Sequence, residues 1–198
     1  MKIHIVDDEI EVRESCQFLI EQLTDASIEQ WENGEIFVQS VALYEPAVVI
    51  LDLRMPKMDG ASVVEYLKRE GSVIAPIILT GHGELSQAVS LLKQGVVDFL
   101  EKPVSSLKLG EALQRAEAET HRLWRGFCLN QQFSELTERE QQVSRLVYEG
   151  KTNREIAEHL LISVRTVEVQ RASAMKKLGA ETLAEFIVLC NGVCDGSA

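Results

Sequence analysis

The sequence predicts an α/β doubly wound unit on a five-stranded parallel sheet, followed by an all-α unit of four helices. Three observations carry this. The first half alternates short apolar runs with amphipathic segments, and the runs at 47–51, 76–80 and 96–100 are unbroken, as strands buried on both faces require. The second half holds no such run and reads as successive helical patterns. The charge divides at the same place: residues 1–120 carry 21 acids and 10 bases, and residues 121–198 carry 10 of each.

"KIHIV" (2–6) reads as the first strand and "SIEQW" (27–31) as a weaker second. "AVVIL" (47–51), "PIILT" (76–80) and "VVDFL" (96–100) complete the sheet. Helical patterns lie between them near 11–23, 34–43, 61–69, 84–94 and 104–120. In the first of these Cys16, Leu19, Ile20 and Leu23 share one face. Gly71 and Gly95 read as helix stops. Alternating strands and helices predict a parallel sheet covered on both faces, with its functional crevice at the carboxyl ends of the strands.

In the second half, 137–150, 152–161, 163–179 and 182–190 read as helices. Thr137 with Glu140 fits a capping box, and Gly150 and Gly179 fit helix stops. Helical spacing turns Ile156, Leu160, Val164 and Val167 inward. The expected domains are 1–120 and 135–198, joined by a linker at 121–134. The stripe Leu109, Ala112, Leu113, Ala116 and Leu123 extends a helix towards that linker.

Composition excludes several classes. No apolar run reaches the roughly 18 residues of a membrane span. "MKIHIVDDE" turns acidic where a signal peptide would stay apolar. A cytoplasmic protein with no membrane partner is expected. Cys16, Cys128, Cys190 and Cys194 have no zinc-ligand spacing and read as free thiols. The net charge of −11 argues against nucleic acid, but it belongs wholly to the first half.

The carboxyl ends of the predicted strands collect a particular set of groups. Asp7, Asp8 and Glu9 follow the first strand and Asp52 the third. Thr80 ends the fourth, and Lys102-Pro103 follows the fifth. Mg²⁺ takes hard oxygen ligands, commonly one or two carboxylates with waters and phosphate oxygens. An aspartate can accept a phosphoryl group as a nucleophile, and cations stabilise the transferring group. Glu9 reads as a first-turn helix acid. His4 reads as a strand residue and His82 as a loop residue.

"IVDDE", "LDLRMPKMDG", "ILTGHG" and "DFLEKP", in this order, resemble the receiver domain of two-component response regulators, whose fold is flavodoxin-like. That resemblance makes Asp52 the phosphoacceptor, Asp8 a direct Mg²⁺ ligand and Asp7 a ligand through water. It adds the Arg54 carbonyl as a metal ligand, Thr80 as the switch hydroxyl and Lys102 as the phosphoryl-binding ammonium. Phe99 stands at the switch aromatic, often a tyrosine in the family. The resemblance also implies a cis bond before Pro103.

Residues 163–177 carry Arg165, Arg171, Lys176 and Lys177 against Glu168, a local net charge of +3. Ser163 can cap this segment's start. "LTERE", "NREIA" and "SVRTVEVQR" resemble the LuxR-type helix-turn-helix domain, and the whole chain resembles the NarL/FixJ class, on its FixJ-like branch. By that resemblance Glu168, Val169 and Ala172 face base edges. Arg165, Thr166, Arg171 and Lys176 grip phosphates, and Thr152 and Asn153 touch the DNA backbone. Gln170 replaces the histidine common in the family and changes one phosphate contact.

The implied function is a transcription factor phosphorylated on Asp52 by a sensor histidine kinase. Phosphorylation would then drive a homodimer onto double-stranded promoter DNA. The faces of 84–94, 96–100 and 104–120, or the stripe Leu183, Phe186, Ile187 and Cys190, would form the dimer. The competing reading is a regulator that binds DNA or a partner without phosphorylation. No enzymatic activity is expected beyond phosphotransfer to Asp52 itself, because no second acid is placed to protonate a leaving group.

Overall fold

The structure is a computed structural model that describes residues 1–81 and 91–194. The chain forms two compact units, Met1–Trp124 and Arg125–Ala198.

In the first unit five strands pair in parallel: β1 (Lys2–Val6), β2 (Ser27–Trp31), β3 (Ala47–Asp52), β4 (Ala75–Thr80) and β5 (Asp98–Glu101). Their order is β2-β1-β3-β4-β5. The order reverses between β1 and β3, so a crevice opens outside their carboxyl ends. Around the sheet lie α1 (Ile10–Leu23), α2 (Gly34–Ser40), α3 (Gly60–Arg69) and the first part of α4 (Ser106–Ser134), whose residues from Arg125 on belong to the second unit. The predicted helix at 84–94 falls mostly on 82–90, outside the described residues, as does His82.

Strand alternation splits the core into two layers. Ile3, Ile5, Val48, Ile50, Ile77 and Leu79 point to one face with Cys16, Ile20, Leu109 and Ala112. Val6, Val49, Leu51 and Ile78 point to the other with Phe37, Val63 and Leu67. Each fully buried Ile or Leu contributes roughly 1.5–3 kcal/mol of hydrophobic stabilisation. This two-sided burial is why the central runs lack the alternation of an exposed strand.

Several boundaries differ from expectation. Strand β5 begins two residues later than the apolar run, because Val96 packs into the core before pairing starts. Helix α2 stops at Ser40, where Val41 turns to an extended conformation. Over residues 121–134, expected as a linker on a continued helical stripe, α4 runs on to Ser134. Thr120, fully buried, fastens that helix: its hydroxyl accepts from the Ala47 amide at 3.1 Å and donates to the Val73 carbonyl at 2.5 Å.

The second unit contains α5 (Glu138–Tyr148), α6 (Asn153–Leu160), α7 (Val164–Leu178) and α8 (Leu183–Cys194). Its core joins Phe133, Val143, Ile156, Val167, Ala174, Phe186 and Cys190. The Thr137–Glu140 capping box is present, and Thr152–Glu155, at the same spacing, forms a second one. Gly150 and Gly179 follow their helices at φ 81° and 72°, the left-handed region where a Cβ is unfavourable. Val164 corrects the inward reading. It is 40% exposed at the first position of α7, while Ile156 and Val167 are fully buried and Leu160 half-buried. The α8 stripe also divides: Phe186 and Cys190 are core, whereas Leu183 is exposed. Cys16, Cys128 and Cys190 form no disulfide. Among the described residues no helix is long and apolar enough to cross a membrane.

Candidate functional site

The carboxyl ends of β1, β3, β4 and β5 bring three charged groups into contact. The Lys102 ammonium lies 2.8 Å from Asp7 Oδ2 and 2.6 Å from Asp52 Oδ1. Glu9 Oε1 stands 3.8 Å away on the outer rim. Pairing places these residues: β5 runs beside β4, and the Lys102 amide donates to the Thr80 carbonyl at 2.9 Å. The peptide bond between Lys102 and Pro103 is cis.

Asp7 is fully buried and Asp52 is 5% exposed. The second oxygen of each carboxylate is held by the backbone. Asp7 Oδ1 accepts from the Glu9 amide at 2.9 Å, and Asp52 Oδ2 accepts from the Arg54 amide at 2.8 Å. Asp7 thus pins the turn into α1. Glu9 occupies the cap position of that helix, outside its first turn, and makes no side-chain cap bond. Asp7 Oδ2 is buried, and the Lys102 ammonium is its partner at 2.8 Å. Asp8 and Arg54 are exposed at the rim.

Burial pushes the Asp52 carboxyl above its ordinary value, while the Lys102 ammonium pulls it back. Burial disfavours the Lys102 charge too, but its bonds to Asp52 and Asp7 raise its pKa overall. Thr80 is 2% exposed at the end of β4, beside the β3 strand that ends in Asp52. Phe99 is half-buried against the core layer on its face of the sheet. Gly60 packs so closely on β3 that a Cβ there would meet the Asp52 carbonyl oxygen at 2.4 Å.

The donor set suits a hard divalent cation. Three aspartates face one bridging ammonium, so the rim keeps an excess of negative charge that a divalent cation would offset. Among the described residues no three acidic, histidine or cysteine side chains form a ready metal cage. Lys102 bridges the acids instead, and Mg²⁺ needs only one or two carboxylates in addition to water.

In the second unit Arg165, Glu168, Val169, Ala172 and Lys176 are exposed on α7, with Val169 at 59%. Gln170 and Arg171 are half-buried. Thr166 shares its hydroxyl with Ser163 at 2.8 Å, and the Ser163 side chain caps the helix through the Thr166 amide. Thr152 is exposed and uses its hydroxyl to cap α6, and Asn153 follows it half-buried. A groove of about 590 Å³ runs between Lys151, Asn153 and Arg154 on one side and Glu168 and Arg171 on the other.

Sequence reasoning missed Lys151 and Arg154, although "GKTNRE" places both cations around the start of α6. It also missed Arg13, whose guanidinium donates to the Asp7 carbonyl at 2.7 Å. An arginine bonding a main-chain oxygen leaves no pattern in the sequence.

Known proteins resemble the chain along most of its length. Residues 3–114 match the family described as response regulator receiver domain, and residues 134–190 match the bacterial regulatory proteins of the luxR family. The tetrathionate response regulatory protein TtrR of Salmonella typhimurium is 43% identical, over 93% of this chain and 89% of TtrR. The transcriptional regulatory protein FixJ of Rhizobium meliloti is 36% identical, over 93% of this chain and 92% of FixJ. The solved structure of the response regulator StyR superposes with a TM-score of 0.66 at 32% identity, covering 95% of this chain and 96% of StyR. A receiver-type acid pocket, a helix-turn-helix and this likeness over both units agree: the chain belongs to the NarL/FixJ response regulators, with a receiver domain followed by a LuxR-type DNA-binding domain.

Proposed function

We propose that this response regulator is switched by phosphorylation of Asp52 and, once phosphorylated, dimerises on promoter DNA. The observation that carries the reading is the Lys102 ammonium held between Asp7 and Asp52 at 2.8 and 2.6 Å. An ammonium in that place opposes the effect of burial and favours the ionised form of Asp52, and an ionised carboxylate is the nucleophile.

The donor is a phosphohistidine of a partner kinase. Its P–N bond breaks as an Asp52 oxygen bonds phosphorus, and the departing imidazole takes up a proton from solvent. Lys102 then balances phosphoryl oxygens in addition to Asp7. Asp7, Asp8, Asp52 and the Arg54 carbonyl would hold Mg²⁺, which neutralises the phosphoryl oxygens when bound. The product carries roughly −1.5 to −2 charges where Asp52 carried one. Thr80 moves its hydroxyl towards the new group and Phe99 follows into the vacated space. Phe99 makes no hydrogen bond of its own there, so packing alone records the switch. Turning a 1:99 equilibrium into 99:1 takes about 5.5 kcal/mol. Two or three charge-assisted hydrogen bonds at about 1.5–3 kcal/mol each supply that.

On DNA, Glu168, Val169 and Ala172 meet base edges, while Arg165, Thr166, Gln170, Arg171 and Lys176 meet phosphates, with Thr152 and Asn153 on the backbone. A dimer would read two half-sites about one helical turn apart. The likeness to TtrR makes tetrathionate the first stimulus to try. Treating wild type and Asp52→Asn with acetyl phosphate and Mg²⁺ tests the reading through oligomer mass and promoter binding. Wild type is expected to dimerise and bind, and the variant to stay monomeric and weak. A variant that responds like wild type overturns the switch.

A further inference from the structure

Glu140 is a charged group with no part in either site described above. It is 3% exposed in the DNA-binding unit, and four hydrogen bonds converge on it. Ser173 Oγ donates to Oε1 at 2.6 Å and Lys177 Nζ donates to Oε2 at 2.8 Å. The Thr137 amide and hydroxyl donate to Oε2 at 2.7 and 3.0 Å. Thr137 caps α5, which carries Glu140, whereas Ser173 and Lys177 belong to α7. One carboxylate therefore pins the start of one helix to the flank of the other.

The position of that flank matters. Ser173 and Lys177 are four residues apart and share a face. At about 100° per residue this face lies between the buried side of α7, at Val167, Ala174 and Leu178, and the outer side, at Glu168, Val169 and Ala172. Apolar burial is non-directional, so directed bonds add an angular restraint that packing does not itself specify. Two directed bonds on the shoulder fix the angle. With side chains reaching about 5–6 Å from the axis, a rotation of about 10° displaces an outer group by about 1 Å. That is more than a base-edge hydrogen bond tolerates.

We propose that Glu140 is a positioning residue for DNA recognition, setting the rotation of α7 through Ser173 and Lys177. This rests on the reading that α7 enters the major groove. The same contact ties the Lys177 ammonium to Glu140 although that side chain is 42% exposed, and Lys176 beside it is the phosphate-gripping cation near the helix end.

The test uses the phosphodonor-treated full chain and a duplex selected from random sequence by the wild type, with a scrambled duplex as reference. Glu140→Gln keeps the volume and an acceptor for Ser173 but loses the charge-assisted bond to Lys177. Val143→Ala, a core truncation in the same helix, is the control for lost stability. Glu140→Gln is expected to lower the ratio of selected to scrambled affinity about tenfold at a temperature where both variants are folded. Val143→Ala is expected to leave that ratio unchanged. Glu140→Asp should recover part of the loss. If Glu140→Gln keeps the wild-type ratio, or loses no more than Val143→Ala, the residue is structural only and the proposal fails. If the wild type selects no sequence, the major-groove reading itself falls.

Discussion

Gly60→Ala sets two physical effects against each other beneath the Asp7–Lys102–Asp52 cluster. Gly60 opens α3 directly after its cap residue Asp59, with no positive φ. Helix propensity alone favours alanine there by about 0.5–1 kcal/mol. The surroundings oppose it. An added Cβ would stand 2.4 Å from the Asp52 carbonyl oxygen and 3.0 Å from Leu53 Cα. Both are main-chain atoms at the buried carboxyl end of β3 and just beyond it, and cannot rotate away. Ordinary contact begins near 3.4 Å, so the start of α3 must withdraw by about 1 Å. The bond from the Gly60 amide to the Leu53 carbonyl, now 3.1 Å, would then stretch beyond hydrogen-bond range. Overpacking at about 1–3 kcal/mol and the lost bond at about 1 kcal/mol exceed the propensity gain. The net destabilisation is about 1–3 kcal/mol, which lowers the melting temperature of the receiver by about 4–10 °C. Calorimetry of the full chain reads this, because the DNA-binding unit supplies an internal reference. Phosphorylation by acetyl phosphate should slow as well, since the strain falls on the backbone of Asp52. A receiver that melts at or above the wild-type temperature would refute the close-approach reasoning and leave propensity as the deciding term.

Lys102→Met removes the ammonium between two buried carboxylates, and the receiver should lose up to about 3 kcal/mol at neutral pH. Loss of that ammonium also leaves burial free to raise Asp52 further. The deficit should therefore shrink as pH falls and Asp52 protonates, which urea titrations across the acid range would show. Glu140 titrates near pH 2, held below its usual 4.5 by Lys177 first, then Ser173 and Thr137. Its stabilisation is complete above about pH 4.5 and drains away towards pH 2, so Glu140→Gln should flatten the acid limb of the DNA-binding unit. In the receiver, burial lowers His4 from 6.5 to about 4, so the unfolded chain binds the extra proton first. Acidification through that window should destabilise the receiver, and His4→Gln should remove that slope.

The central strands were legible because burial on both sides erases alternation, and each run ends where acids, a hydroxyl or a lysine begin. Their carboxyl ends, and with them Asp7, Asp52, Thr80 and Lys102, could be placed from sequence alone. The strand order could not, since any order satisfies the same runs. Nor could the bridging position of Lys102, which depends on a side chain reaching across two strands. Helical periodicity misled at Val164 because a first-turn residue has no preceding turn to pack beneath. Glu140 was legible as half of a capping box but not as the anchor of α7. Ser173 and Lys177, 33 and 37 residues further on, give no local signal of that contact.

Two buried thiols divide the molecule into separately observable halves. Cys16 is 1% exposed on α1, and burial, with Asp7 nearby, raises its pKa to about 11. Cys190 is fully shielded on α8. Thiolate is the reactive form, so neither should take up an alkylating reagent until its own surroundings open. With Cys128 and Cys194 replaced by serine, the labelling rate at each remaining sulfur becomes a clock for local opening. One clock would time the receiver and the other the DNA-binding unit, in a single sample, before and after phosphodonor is added.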